Sequence, residues 1–145
     1  MKRVFMSVAV ILVCALVVGC GNKTSKVVCS TTTSGIDIKM NFTYNDGKKM
    51  YEDAGSMVAT MYLSKYTEAQ RSAIEKQDLC KTFLNGLGKL QPAFSNCKQE
   101  VTEKALTLTA DVSMKTAEEK NLFELKMEKN KIEDYFSGYN CSYEK

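Results

Sequence analysis

Six cysteines and the absence of any histidine set the chemistry open to this chain. Without an imidazole there is no Ser-His-Asp arrangement, no Cys-His pair and no nitrogen ligand for a metal. No Cys-x-x-Cys occurs, which argues against a zinc knuckle and against a thioredoxin-like redox site. Neither a Gly-x-Ser-x-Gly elbow nor a phosphate-binding Gly-x-x-x-x-Gly-Lys-Ser/Thr loop is present. Carboxylate catalysis needs two acids held at a set separation. The 17 acidic residues offer adjacent pairs such as Glu52-Asp53 and Glu133-Asp134, but neighbouring acids ordinarily solvate a surface. On residue types alone, no catalytic residue and no metal ligand is assigned.

Two of the cysteines belong to the N-terminal stretch. Met1-Lys2-Arg3 precedes an uncharged run from Val4 to Val18, the layout of a basic n-region and an apolar h-region. At 15 residues the run is short for a membrane-spanning helix, which needs about 20. It ends in Val17-Val18-Gly19-Cys20 and is followed by the small, polar Gly21 to Ser25. Aliphatic and small residues leading to a cysteine resemble the bacterial lipobox. That resemblance implies alkylation of the Cys20 thiol by a diacylglyceryl group and cleavage between Gly19 and Cys20. A thiolate suits the reaction as a strong nucleophile. The expected organisation is a leader over 1–19, lipidated Cys20 with a short tether over 20–25, and one extracytoplasmic domain over 26–145. Lys2 and Arg3 supply two of the three net positive charges, so the rest is near neutral and nucleic acid is not an expected partner.

Cys14 leaves with the leader and Cys20 carries the lipid, which leaves Cys29, Cys80, Cys97 and Cys141. An even number in an exported chain reads as a disulfide framework. Four cysteines allow three connectivities, and sequence alone does not choose among them. Cys29 and Cys141 lie in β-like segments at opposite ends of the domain, and Cys80 and Cys97 flank one connection. This placement leans towards Cys29–Cys141 with Cys80–Cys97.

The elements that must position these residues follow from periodicity. Lys26 to Thr33 is rich in β-branched residues and ends at Ser34-Gly35, a turn signal. Ile36, Ile38, Met40, Phe42 and Tyr44 alternate with polar residues, and Asn45-Asp46-Gly47 then signals a hairpin. A third strand is expected over 49–63, bent at Ala54-Gly55. Thr67 and Gln70 fit a capping box that opens one main helix, with Ala73, Cys80 and Leu87 along its apolar face. A strand over 94–101 carries Cys97, and Leu106, Leu108, Ala110, Val112 and Met114 mark the inward face of the next. The stretch 116–127 is ambiguous between helix and loop. A short helix over 129–137 stops at Gly138, and a last strand carries Cys141. The expected fold class is α+β: an antiparallel sheet with one main helix and a short C-terminal helix packed on one face.

Two enrichments suit a binding surface. Met50, Met57 and Met61 gather with Tyr51, Tyr62 and Tyr66, though Met57, Ala59, Met61 and Leu63 also read as a core face. Tyr135, Phe136, Tyr139 and Tyr143 form a second group near the end, for which packing on the sheet is the plainer role.

Val17-Val18-Gly19-Cys20, the strand around Cys29, Gln77-Asp78-Leu79-Cys80, Asn96-Cys97-Lys98 and Gly138-Tyr139-Asn140-Cys141 together resemble the small YehR-like lipoproteins of Gram-positive bacteria. The resemblance carries no catalytic residue with it. The expectation is a non-enzymatic lipoprotein, held to the outer face of the cytoplasmic membrane through Cys20, with no cofactor beyond that lipid. It would bind an envelope ligand or partner protein through one face of the sheet. The alternative is a carboxylate-dependent cell-envelope hydrolase.

Overall fold

The computed structural model describes residues 23–144, so Gly19, Cys20 and the leader lie outside the described residues. Six strands make one antiparallel sheet: β1 (Thr24–Thr33), β2 (Ile36–Asn45), β3 (Met50–Tyr62), β4 (Phe94–Val101), β5 (Ala105–Ser113) and β6 (Asn140–Glu144). Their order is β4-β5-β3-β2-β1-β6. The helices are α1 (Glu68–Glu75), α2 (Leu79–Gly86), α3 (Met114–Glu119) and α4 (Ile132–Tyr135). The fold is α+β. Among the described residues no helix is long and apolar enough to cross a membrane.

Local chemistry explains the first three strands. Thr33 pairs with Ile36 across Ser34 and Gly35, whose φ angles of 52° and 80° match the two-residue turn favoured between twisted strands. After Asn45, whose Oδ1 accepts from Lys48 N at 2.9 Å, a longer loop returns the chain into β3 at Met50. Phe42 stands opposite Gly55 and Tyr44 opposite Tyr51, so Glu52, Asp53 and Ala54 bulge outward against Thr43. Gly55 permits the close approach: a Cβ there would lie 2.9 Å from Phe42 Cδ1 and 3.2 Å from the Asn41 carbonyl oxygen.

Alternation then sorts the sheet into two faces. Val27, Cys29, Met40, Phe42, Tyr44, Tyr51, Met57, Ala59, Leu106, Leu108 and Val112 are buried on one side. Lys26, Lys39, Thr109 and Asp111 are exposed on the other. Leu63, Ala93, Met114, Ala117, Phe123, Met127 and Ile132 close over the apolar face.

Three expectations are corrected. The main helix is two, α1 and α2, broken at Lys76-Gln77-Asp78. Asp78 caps α2 by accepting from Lys81 N, while the Gln99 side chain accepts from Leu79 N and donates to the Gln77 carbonyl. These bonds satisfy backbone groups that a continuous helix would have used internally. The face through Ala73, Cys80 and Leu87 is therefore not continuous, and Ala73 is exposed. Neither α1 nor α2 contains a buried residue, so both sit at the margin of the core. Covering the sheet falls instead to α3, the segment after it and α4.

Met114 turns out of the strand to open α3, with Ser113 as N-cap accepting from Thr116 N. Asp53 in the β3 bulge accepts from Ser113 Oγ and from Lys115 N, tying α3 to the bulge. The ambiguous stretch is thus a short helix followed by an irregular covering segment with two turns, which Tyr51 N holds by donating to the Leu125 carbonyl. The tether reading of Thr24 and Ser25 also fails. Both belong to β1, where Ser25 is buried and donates to Asp46 Oδ2 at 2.9 Å.

Candidate functional site

The four cysteines of the domain form two disulfides. Cys29 and Cys141 are bonded across β1 and β6, as directly opposed residues with Cα atoms 4.0 Å apart. Cys80 and Cys97 join α2 to β4. Cys29 is fully buried, and both bridges act as structural staples. Cys20 and Gly19, the expected lipidation and cleavage residues, lie outside the described residues.

Four aspartates make structural contacts. Asp37 accepts from Thr32, Asp111 from Asn96, Asp53 from Ser113 and Lys115, and Asp78 caps α2. Glu133 and Asp134 lie exposed in the first turn of α4. Among the described residues no three Cys, Asp or Glu side chains gather as a metal-binding group.

One polar cluster has the residue types of a nucleophile and a base. Lys129 Nζ donates to Ser25 Oγ at 2.6 Å and pairs with Asp46 Oδ1 at 2.5 Å, while standing 5.1 Å from the centre of the Tyr44 ring. Ser25 is 3% exposed, which leaves a substrate no approach to its hydroxyl. The cluster is a clamp between the start of β1, the β2–β3 turn and the segment entering α4. The Tyr143 hydroxyl donates to the Lys129 carbonyl and extends the clamp to β6. Burial, then the nearby Glu133 carboxylate, raises the Tyr143 pKa above its ordinary value.

An apolar groove of about 310 Å³ lies between sheet and covering layer. Met40 and Phe42 of β2 and Val112 of β5 line its sheet side. Leu90, Ala93 and Phe94 line one wall, Leu122 and Phe123 another, and Tyr135, Phe136, Ser137 and Tyr139 the third. Phe136 organises this wall: its ring lies 5.5 Å from Phe42, 6.1 Å from Phe123 and 5.8 Å from Tyr139. The innermost residues are nearly closed off, Phe42 at 2% exposure and Val112 at 4%. Leu90 and Tyr135, at 41% and 47%, stand exposed at the rim. None of the described lining residues is charged. Such a site holds an uncharged, apolar group, with hydroxyls from Ser137 and the tyrosines available at its edge.

Of the two enrichments in sequence, the C-terminal aromatics supply part of this groove through Tyr135, Phe136 and Tyr139. Tyr143 belongs to the clamp instead. The methionine–tyrosine group divides. Met57 and Tyr51 enter the core, Tyr62 is exposed, and Tyr66 donates to Met61 Sδ at 3.6 Å. Nothing in the sequence marks Leu90, Ala93, Leu122 and Phe123 as site residues. They lie in segments without periodicity, and only the fold brings them to Phe42. No family model, curated protein or solved structure matches this chain.

Proposed function

We propose that this chain is a non-enzymatic lipoprotein, anchored through Cys20 to the outer face of the bacterial cytoplasmic membrane. Its groove holds the apolar part of an envelope ligand. The observation that carries the binding reading is the uncharged groove, with buried Phe42 and Val112 on its floor and exposed Leu90 and Tyr135 at its mouth. The leader pattern ending at Cys20 supports the anchor, and two disulfides suit an oxidising compartment. The resemblance to small Gram-positive lipoproteins belongs to the same reading. In place of the sheet face expected from sequence, the site proposed is the groove beneath the covering layer.

Two measurements test it. Fatty-acid labelling should be lost in Cys20→Ala, with the protein released from the membrane fraction; labelling that persists overturns the anchor. The neutral dye N-phenylnaphthylamine should bind saturably to the lipidated chain. Leu90→Glu with Tyr135→Glu should weaken it by about tenfold or more, since each change sets a charge beside an apolar mouth. Both positions are exposed, so the near-ultraviolet signal of the remaining tyrosines should be retained. Unsaturable partitioning, or equal binding by the variant, overturns the binding reading.

A further inference from the structure

We infer that the occupant of the groove is a hydrocarbon chain of a bilayer lipid, taken from the membrane at which the protein is tethered; this rests on the binding and anchoring reading above. Three observations converge on it. The first is chemistry: the described lining offers aliphatic, aromatic and hydroxyl groups and no charge, so a charged ligand would lose its hydration without gaining a partner. A hydrocarbon chain has no such loss.

The second is size. A volume of about 310 Å³ is roughly twice the ~150 Å³ apolar cavity that accepts benzene. The space therefore takes the length of one chain segment and is too small for a folded partner. Leu90 and Tyr135 at the open mouth let the rest of the molecule remain outside.

The third is position. Only Gly21, Asn22 and Lys23 separate Cys20 from Thr24, where β1 begins. Fully extended, that connection spans at most about 14 Å. Phe42 on the groove floor pairs with Val27, three residues into β1, which adds about 10 Å along the strand. Phe42 lies one strand spacing of about 5 Å beyond Val27, so the groove floor is held within roughly 30 Å of Cys20. A ligand site kept this near a bilayer meets acyl chains at a high effective concentration.

The test uses the full lipidated chain in phosphatidylglycerol–phosphatidylcholine vesicles. A minor fraction of the phosphatidylcholine carries a diazirine near the end of one acyl chain. After irradiation, adducts should concentrate on the peptides containing Leu122-Phe123 and Phe136 to Tyr139. They should fall by about tenfold in the Leu90→Glu, Tyr135→Glu variant and be competed by N-phenylnaphthylamine. Adducts confined to the peptide after Cys20, or spread evenly over the surface, overturn the lipid assignment. If the dye still binds saturably in that case, the binding-protein reading stands. If the dye does not bind either, both fall together.

Discussion

At the residue scale, two positions expose opposite faults of a packed interior. Gly55 has no room to grow, because Phe42 and the Asn41 carbonyl stand where its Cβ would be. Gly55→Ala should destabilise the domain by about 1–3 kcal/mol, read as a lower urea midpoint with an unchanged slope. Tyr51 has the reverse problem: its ring is fully buried between Phe42 and Tyr44, yet its hydroxyl has no hydrogen-bond partner among the described residues. Burial pushes its pKa well above the ordinary tyrosine value, and Tyr143 and Tyr44 push the same way. The folded state therefore keeps a proton that the unfolded chain releases near pH ~10. The stability linked to this group is present below that pH and is lost as pH rises from there towards the raised value. Tyr51→Phe should leave neutral-pH stability unchanged or raise it by up to about 1 kcal/mol. It should also flatten the alkaline fall in urea midpoint; a fall as steep as the parent's would count against Tyr51 as its source.

At the scale of elements, the two disulfides do different work. The Cys29–Cys141 bridge spans 112 residues and holds β6, an edge strand of only five residues, against β1. The Cys80–Cys97 bridge spans 17 and fixes α2 to β4. Loop entropy sets the first at about 4.7 kcal/mol and the second at about 3 kcal/mol. Replacing Cys29 and Cys141 together with Ser should lower the urea midpoint more than replacing Cys80 and Cys97. It should also release hydrogen-exchange protection in β6 and the neighbouring wall at Phe136 and Tyr139. The Cys80 and Cys97 replacement should leave that wall protected and loosen α1 and α2, which contain no buried residue. An equal loss of protection everywhere would show that the helical pair is as integral as the sheet.

For the whole molecule, the sheet is a rigid floor and the covering layer is assembled from short pieces. Those pieces are fixed to it by a few polar contacts: Asp53 to Lys115 N, Leu125 O to Tyr51 N, and Lys129 to Ser25 and Asp46. Between floor and cover lies the groove, with Phe136 touching both sides. Rings packed at tilted and edge-to-face angles around an open space keep its walls in place without filling it. The dye and lipid measurements belong at this scale, because a groove formed by separate segments binds only when floor and cover are both in place. Around it, Asp78 and Asp53 make capping and bulge contacts, and the half-buried Lys129 clamps buried Ser25.

Much of this was already written in the chain. Alternation along 36–44 and 106–112 fixed which side chains enter the core, since a strand offers every second residue to one face. The turn at Ser34-Gly35, the bend before Gly55 and the Thr67–Gln70 capping box are local chemistry, and the structure contains each. Outcomes set by distant partners were not legible. The helix break at Gln77 and Asp78 depends on Gln99, some twenty residues away. Ser25 joins the fold because Asp46 and Lys129 arrive from elsewhere. Leu90, Ala93, Leu122 and Phe123 become groove residues because the sheet order and the covering segment set them around Phe42. Short-range periodicity encodes which residues turn inward; an incompletely filled space between layers exists only once both layers are placed.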